Sequence, residues 1–185
     1  MGLFPRSPPA ALRADCGGYL SRHHYLIALG SNQRHPRIGH PRAVLAAVAR
    51  IMDGPLGHVV AMAPVIETAP IGPSLRRYAN GALLLESDLD PLELLDALQA
   101  VEAQLGRVRR GQRWRSRVID LDIVLWSGGV VALPPRLIVP HPLFRARSFV
   151  LQPAVAIARG WRDPLTGLTL AQLYARLTRR SPLPR

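Results

Sequence analysis

Apolar and polar residues alternate in two rhythms along this chain, and the switches between them mark its elements. Residues 24–29 (HYLIAL) form a β-rich run stopped by the turn cluster Gly30-Ser31-Asn32, which predicts a first strand. Residues 41–52 (PRAVLAAVARIM) change to a helical rhythm. Val44, Leu45, Val48 and Ile51 follow the spacing i, i+1, i+4, i+7, and Pro41 is tolerated in the first turn. Residues 58–66 and 79–86 read as two strands on either side of the turn-rich stretch Ala69-Pro70-Ile71-Gly72-Pro73. The clearest helix follows. Asp90 is its N-cap, Pro91 its first residue, Glu93 is placed to close a capping box, and Gly106 lies just past its end. Leu94, Leu95, Leu98, Val101 and Leu105 make its apolar side, whereas Gln99 and Glu102, one turn apart, share a different stripe.

A strand of another kind comes next. In residues 119–123, Ile119, Leu121 and Ile123 alternate with Asp120 and Asp122, a period of two that puts both carboxylates on one face. The resulting order β-α-β-β-α-β predicts an α/β (α+β) chain with a ferredoxin-like core, two helices packed on one antiparallel sheet. Ser127-Gly128-Gly129 is expected to turn a hairpin into residues 130–133, and residues 144–177 to add a helical extension broken at Pro153 and Pro164. Residues 23–180 are expected to form one domain. Residues 1–22, rich in Pro, Ala and Arg and without periodicity, are expected to be a disordered extension.

Composition narrows the class. A chain of 185 residues with 48% hydrophobic content can bury a core, no apolar run reaches eighteen residues, and the lone Cys16 excludes an internal disulfide framework. A cytoplasmic monomer with no membrane partner is therefore expected. Charge adds the main clue. The 24 basic residues, all Arg, face 12 acids for a net charge of +12, which calls for an anionic partner.

The charge is concentrated where the chemistry should lie. Arg107, Arg109, Arg110, Arg113, Arg115 and Arg117 fall within eleven residues immediately before the Asp120/Asp122 strand, with Gly106 and Gly111 to loosen the segment. Carboxylates two apart on a strand stand roughly 6.6 Å apart and repel each other unless a cation joins them. Mg²⁺ is commonly held by one or two carboxylates plus substrate phosphates, while Arg clamps phosphate oxygens bidentately. A phosphate ligand with Mg²⁺ suits that combination, and mutual salt bridging is the competing explanation. Tyr78 and Phe149 could stack on a flat heterocycle, and Asn80 offers a paired donor and acceptor for its edge. His141, between two prolines, is a candidate ligand-facing group. On residues alone a single-stranded nucleic-acid-binding α/β module and a generic Mg²⁺-dependent nucleotidyl or phosphoryl transferase stay open. The strands lack the aromatic pairs of RNP-type RNA binders, so no nucleic-acid partner is expected.

Five ordered stretches covering about 130 residues resemble one family: YLIALGSN, ETAPIGP with YAN, QAVEAQLGRVR, RWRSRVIDLDIVLW and RLIVPHPLFRARSFVL. The chain is similar to 6-hydroxymethyl-7,8-dihydropterin pyrophosphokinase, the folate-pathway enzyme that moves pyrophosphate from ATP to a pterin alcohol. The resemblance implies that Asp120 and Asp122 hold two Mg²⁺ ions bridging the ATP phosphates and the pterin hydroxymethyl group. It places Gln99, Glu102, Arg109, Trp114, Ile123, Arg136, His141 and Arg147 in the ATP site. Thr68, Ala69, Ile71, Tyr78, Asn80, Trp114 and Phe149 would line the pterin pocket, and Arg107 and Arg117 would act on the reaction itself. The chain departs from the family pattern at Ala69, Ile138, Pro142 and Arg115-Ser116, and none of these touches the aspartate pair.

Overall fold

In the computed structural model, residues 22–69, 76–106 and 117–179 are described. Residues 1–21 of the expected N-terminal extension, Ile71, Arg107, Arg109 and Trp114 lie outside them, whereas Arg22 is described and pairs with Glu86 at 2.8 Å. The elements run β1 (His23–Ser31), α1 (Pro41–Met52), β2 (His58–Met62), β3 (Ile66–Thr68), β4 (Tyr78–Ser87), α2 (Pro91–Gln104) and β5 (Asp120–Trp126). There follow β6 (Val131–Leu133), β7 (Leu137–Val139), a 3-10 turn (Phe144–Ala146), α3 (Ser148–Ala158) and α4 (Leu170–Thr178). The main sheet has the order β2-β4-β1-β5 with β3 also on β4, every pairing antiparallel. This is the expected ferredoxin-like arrangement.

Both helices of that core form for the reasons their sequences carry. In α2 the Asp90 carboxylate accepts from the N–H groups of Leu92 and Glu93 at 2.8 and 2.9 Å, and Glu93 reaches back to the Asp90 N–H at 2.8 Å. Gly106 ends the helix with φ +86, a left-handed conformation that a side chain would oppose. In α1 the buried row is Val44, Leu45, Val48 and Met52, so Met52 takes the core position expected of Ile51. These helices cover one face of the sheet, with Tyr25, Ile27, Leu29, Leu83, Leu85, Ile119, Leu121 and Ile123 beneath them. Burial pushes the Tyr25 phenol above its usual pKa, and its hydroxyl donates to the Leu89 carbonyl at 2.6 Å.

Three expectations need correction. The strand read over residues 58–66 is two strands, because Pro64 has no N–H for the ladder, and β4 receives both pieces. Gly128-Gly129 does turn the chain, but β6 pairs with β7 in a separate two-stranded sheet, leaving only the bridge Trp126–Gly129 with β5. Pro153 does not break the helical extension. It lies inside α3, where one lost backbone bond is outweighed by the buried row Val150, Leu151, Ala154 and Ala158.

The extension has a structural job. α3 and α4 pack Leu151, Ala154, Leu170 and Leu173 with Phe144 against Leu26, Ala28, Ala82, Val124 and Leu125 on the second face of the sheet. Asp163, fully buried, ties the two helices to the 3-10 turn by two bonds from Arg145 at 2.6 and 2.7 Å, plus the Thr166 hydroxyl and the Leu165 N–H. Burial raises the Asp163 pKa, but the Arg145 bonds and the Thr166 and Leu165 donors more than offset it, and the carboxyl stays below its ordinary value. Asp163→Asn should therefore destabilise the fold by about 3 kcal/mol, since it leaves Arg145 without its counter-charge. A folded-state pKa below the unfolded one means that this contribution is complete above about pH 4 and disappears as the pH falls further. Thermal unfolding of both proteins from pH 7 to pH 3 checks it, the gap in Tm closing on the acid side. Among the described residues no helix is long and apolar enough to cross a membrane.

Candidate active site

A cavity of about 680 Å³ opens where β1, β4 and β5 meet the start of α3. Its floor is cleared by small residues. Ala28 and Gly30 of β1 lie opposite Asp122 and Asp120 of β5, and Gly30 also pairs with Asn80 of β4, so the neighbours of the acids project little into the space. Asp120 and Asp122 face the cavity with side chains 29% and 41% exposed, while Ile119, Leu121 and Ile123 turn into the core under α1 and α2. The alternation read in the sequence is thus the structural basis of the pair.

The cavity has a mixed lining. Thr68 and Ala69 line it from β3 and its end and Tyr78 and Asn80 from β4, Asp120 and Asp122 from β5 with Arg117 just before that strand, and Arg147 and Phe149 from the start of α3. Asn80 is buried, and its amide N–H donates to the Thr68 hydroxyl at 2.8 Å, which fixes the amide's orientation and leaves its carbonyl oxygen beside Gly30. The Arg147 guanidinium stands 5.8 Å from the centre of the Phe149 ring, near the outer limit of a cation–π contact.

Arg117 is held twice. Its side chain donates to Asp120 at 2.6 Å. Its backbone is gripped by Asn32, whose side-chain oxygen accepts from the Arg117 N–H at 2.7 Å and whose own N–H donates to the Arg117 carbonyl at 3.1 Å. Asn32 is 3% exposed. In the sequence it is only the end of a turn cluster, and nothing there announces a clamp on a residue 85 positions away.

His141 approaches Asp122 from the loop after β7, Nε2 to Oδ2 4.0 Å. Burial, with help from the Arg147 charge and against the pull of Asp122 and Asp120, keeps the imidazole below its usual pKa. That direction favours the neutral ring. Nδ1 accepts from the Leu143 N–H at 3.2 Å, so the proton sits on Nε2 and a neutral donor points toward the acids and any oxyanion between them.

The remaining expected residues among those described do not line this cavity. Gln99 is partly buried on α2, and Arg136 is an exposed residue ion-paired with Asp96 at 2.6 Å. Ile123 has its side chain in the core. Glu102, read on a different stripe from the apolar side of α2, is buried with that side. It is 1% exposed and its carboxylate accepts from the Leu121 N–H at 2.8 Å. A second cavity, about 200 Å³, between Arg22, His58 and Glu86 lies at the opposite end of the sheet and holds none of these groups.

The donor set fits one class of cation. Among the described residues no group of three or more His, Cys, Asp or Glu side chains could hold a metal by itself, so a cation here would have two aspartates plus oxygens brought by a ligand. Mg²⁺ takes that kind of incomplete protein site, whereas structural zinc wants four protein ligands.

The chain matches the 7,8-dihydro-6-hydroxymethylpterin-pyrophosphokinase (HPPK) family over residues 26–159. It is 43% identical over 150 residues to the 2-amino-4-hydroxy-6-hydroxymethyldihydropteridine pyrophosphokinase of Pseudomonas aeruginosa, covering 80% of this chain and 88% of that one. With the protein of the same name from Haemophilus influenzae it shares 38% over 133 residues, 71% of this chain and 79% of the relative. The fold is similar to the crystal structure of wild-type Plasmodium falciparum HPPK-DHPS, with TM-score 0.65 at 13% identity over 85% of this chain and 42% of that longer one.

Proposed function

The chain belongs to the 7,8-dihydro-6-hydroxymethylpterin-pyrophosphokinase family, and from that premise we propose which of its residues carry the reaction. The reaction is transfer of pyrophosphate from ATP to 6-hydroxymethyl-7,8-dihydropterin in folate biosynthesis. The hydroxymethyl oxygen forms a bond to the β-phosphorus of ATP, the bond from that phosphorus to the oxygen bridging the α-phosphate breaks, and AMP leaves with the electron pair. The hydroxyl proton goes to solvent or to the product.

We assign the pterin to Thr68, Ala69, Tyr78, Asn80 and Phe149, with Ile71 and Trp114 completing its pocket. Tyr78 and Phe149 supply flat apolar surface to the ring, and the fixed Asn80 amide reads its edge. The triphosphate belongs where Arg147 and the Nε2–H of His141 meet its oxygens, with Gln99, Arg109, Trp114 and Arg136 toward the nucleoside. Asp120 and Asp122 would hold two Mg²⁺ ions, which when bound neutralise the triphosphate and acidify the attacking hydroxyl. Nearly all that a protein can add to phosphoryl chemistry is positioning and electrostatics. Arg117 stands beside Asp120 to meet charge that develops on the transferred group, and Arg107 is assigned the same task from the other end of the arginine segment.

One observation carries this reading: one cavity is lined by aromatic rings and a fixed amide together with two carboxylates and two arginines. We take a monomer built from residues 23–180 as the working unit. The test is product identity. Incubated with ATP, Mg²⁺ and the reduced pterin alcohol, the protein should release AMP in equal amount to pterin diphosphate, and none without the pterin. ADP as product, or AMP formed equally fast without pterin, sinks the assignment.

A further inference from the structure

Among the described residues, the strand that carries Asp120 and Asp122 ends the path β2-β4-β1-β5, so alternate N–H groups of β5 point away from β1 with no further described strand to receive them. The N–H of Leu121, the residue between the two aspartates, is one of these, and Glu102 in the last turn of α2 takes it at 2.8 Å. A helix that needed only to pack would carry Leu there. Burying a carboxylate to 1% exposure is costly, and a charge-assisted bond to one backbone N–H is about twice as strong as a neutral one.

We propose that Glu102 is a positioning residue for the cation site, acting through the Leu121 peptide rather than by touching the nucleotide. The peptide it holds sets where both aspartate side chains leave the strand. Gly106, four residues further on, ends α2 and begins the arginine segment, so the same bond fixes the strand relative to the start of that segment. The proposal rests on the assignment of Asp120 and Asp122 to the cations.

The test compares Glu102→Ala and Glu102→Gln with the native protein. Without metal or nucleotide, the Leu121 amide should exchange with solvent at least 10-fold faster in Glu102→Ala, and Glu102→Gln, which keeps an acceptor, should restore most of the protection. Calorimetric Mg²⁺ affinity in the presence of a non-hydrolysable ATP analogue should fall about 10- to 100-fold in Glu102→Ala and much less in Glu102→Gln. Affinity for the analogue without Mg²⁺ should stay within about twofold, since a positioning residue outside the nucleotide loses no direct contact. A large loss of metal-free analogue affinity would make Glu102 a nucleotide contact and overturn the proposal. So would native-like Leu121 exchange in Glu102→Ala, or a Gln variant as impaired as Ala. Should the Ala variant not fold, the native Leu121 amide and the Gln variant decide, and a native amide that exchanges as fast as an exposed one ends the idea. Asp120→Ala measured alongside separates the two claims. Unchanged Mg²⁺ affinity there rejects the cation assignment, whereas the exchange data judge the tether independently.

Discussion

Asp122→Ala is expected to lower kcat/KM by at least 10³-fold while leaving Tm within a few degrees of native. Loss of metal-assisted charge stabilisation is worth several kcal/mol in the transition state, and about 4 kcal/mol corresponds to that factor. Stability should hardly change, because the side chain is 41% exposed and removing it relieves repulsion from Asp120. Asp120→Ala should be at least as slow for a second reason. Asp120 also anchors the Arg117 guanidinium at 2.6 Å, so its loss would remove a proposed cation ligand and free the arginine assigned to the transfer step together. The two variants should therefore respond differently to excess Mg²⁺. Raising the metal concentration should recover part of the Asp122→Ala activity and less of the Asp120→Ala activity. Near-native turnover of either variant at saturating substrate would reduce the pair to an acidic strand face.

Much of this architecture is legible in the sequence because local chemistry and tertiary demand agree. The capping box at Asp90 and Glu93, the stop at Gly106 and the alternation around Asp120 each follow from neighbours within five residues, and each is present as read. Where the reading fails, distant partners decide. Pro153 looks like a helix breaker until the second face of the sheet offers Leu26, Val124 and Leu125 for its helix to cover. Residues 130–133 look like the return arm of a β5 hairpin until β7 provides a better partner.

The site follows the same rule. Tyr78, Asn80 and Phe149 could be nominated by type, and the structure brings them to the same cavity as Asp120 and Asp122. The groups that hold the cavity in shape carry no local signal. Ala28 and Gly30 matter for what they leave empty, Asn32 for an Arg117 backbone far along the chain, and Glu102 for a strand edge whose existence depends on the order of the sheet.

Arg117→Ala should separate catalysis from affinity. Arg117 is a fixed cation on Asp120, its backbone locked by Asn32 in both directions. An ion pair with side chains 38% and 29% exposed contributes only about 0–1 kcal/mol to stability, so the variant should fold normally. Charge developing on a transferred pyrophosphoryl group beside that guanidinium is a different matter. Removing one preorganised donor there costs on the order of 10²- to 10³-fold in kcat, several times the ground-state effect in free energy. The metal should respond in the opposite sense. Taking away a competing positive charge leaves the aspartate pair a better cation site, so Mg²⁺ affinity without nucleotide should rise while turnover falls. Arg117→Lys should restore charge but only part of kcat, because an ammonium cannot reproduce the guanidinium fork. Single-turnover rates and Mg²⁺ titrations of both variants check this. If kcat is retained and only the ATP affinity drops, Arg117 is a substrate clamp. If Mg²⁺ affinity falls with kcat, its contact with Asp120 supports the cation site rather than competing with it.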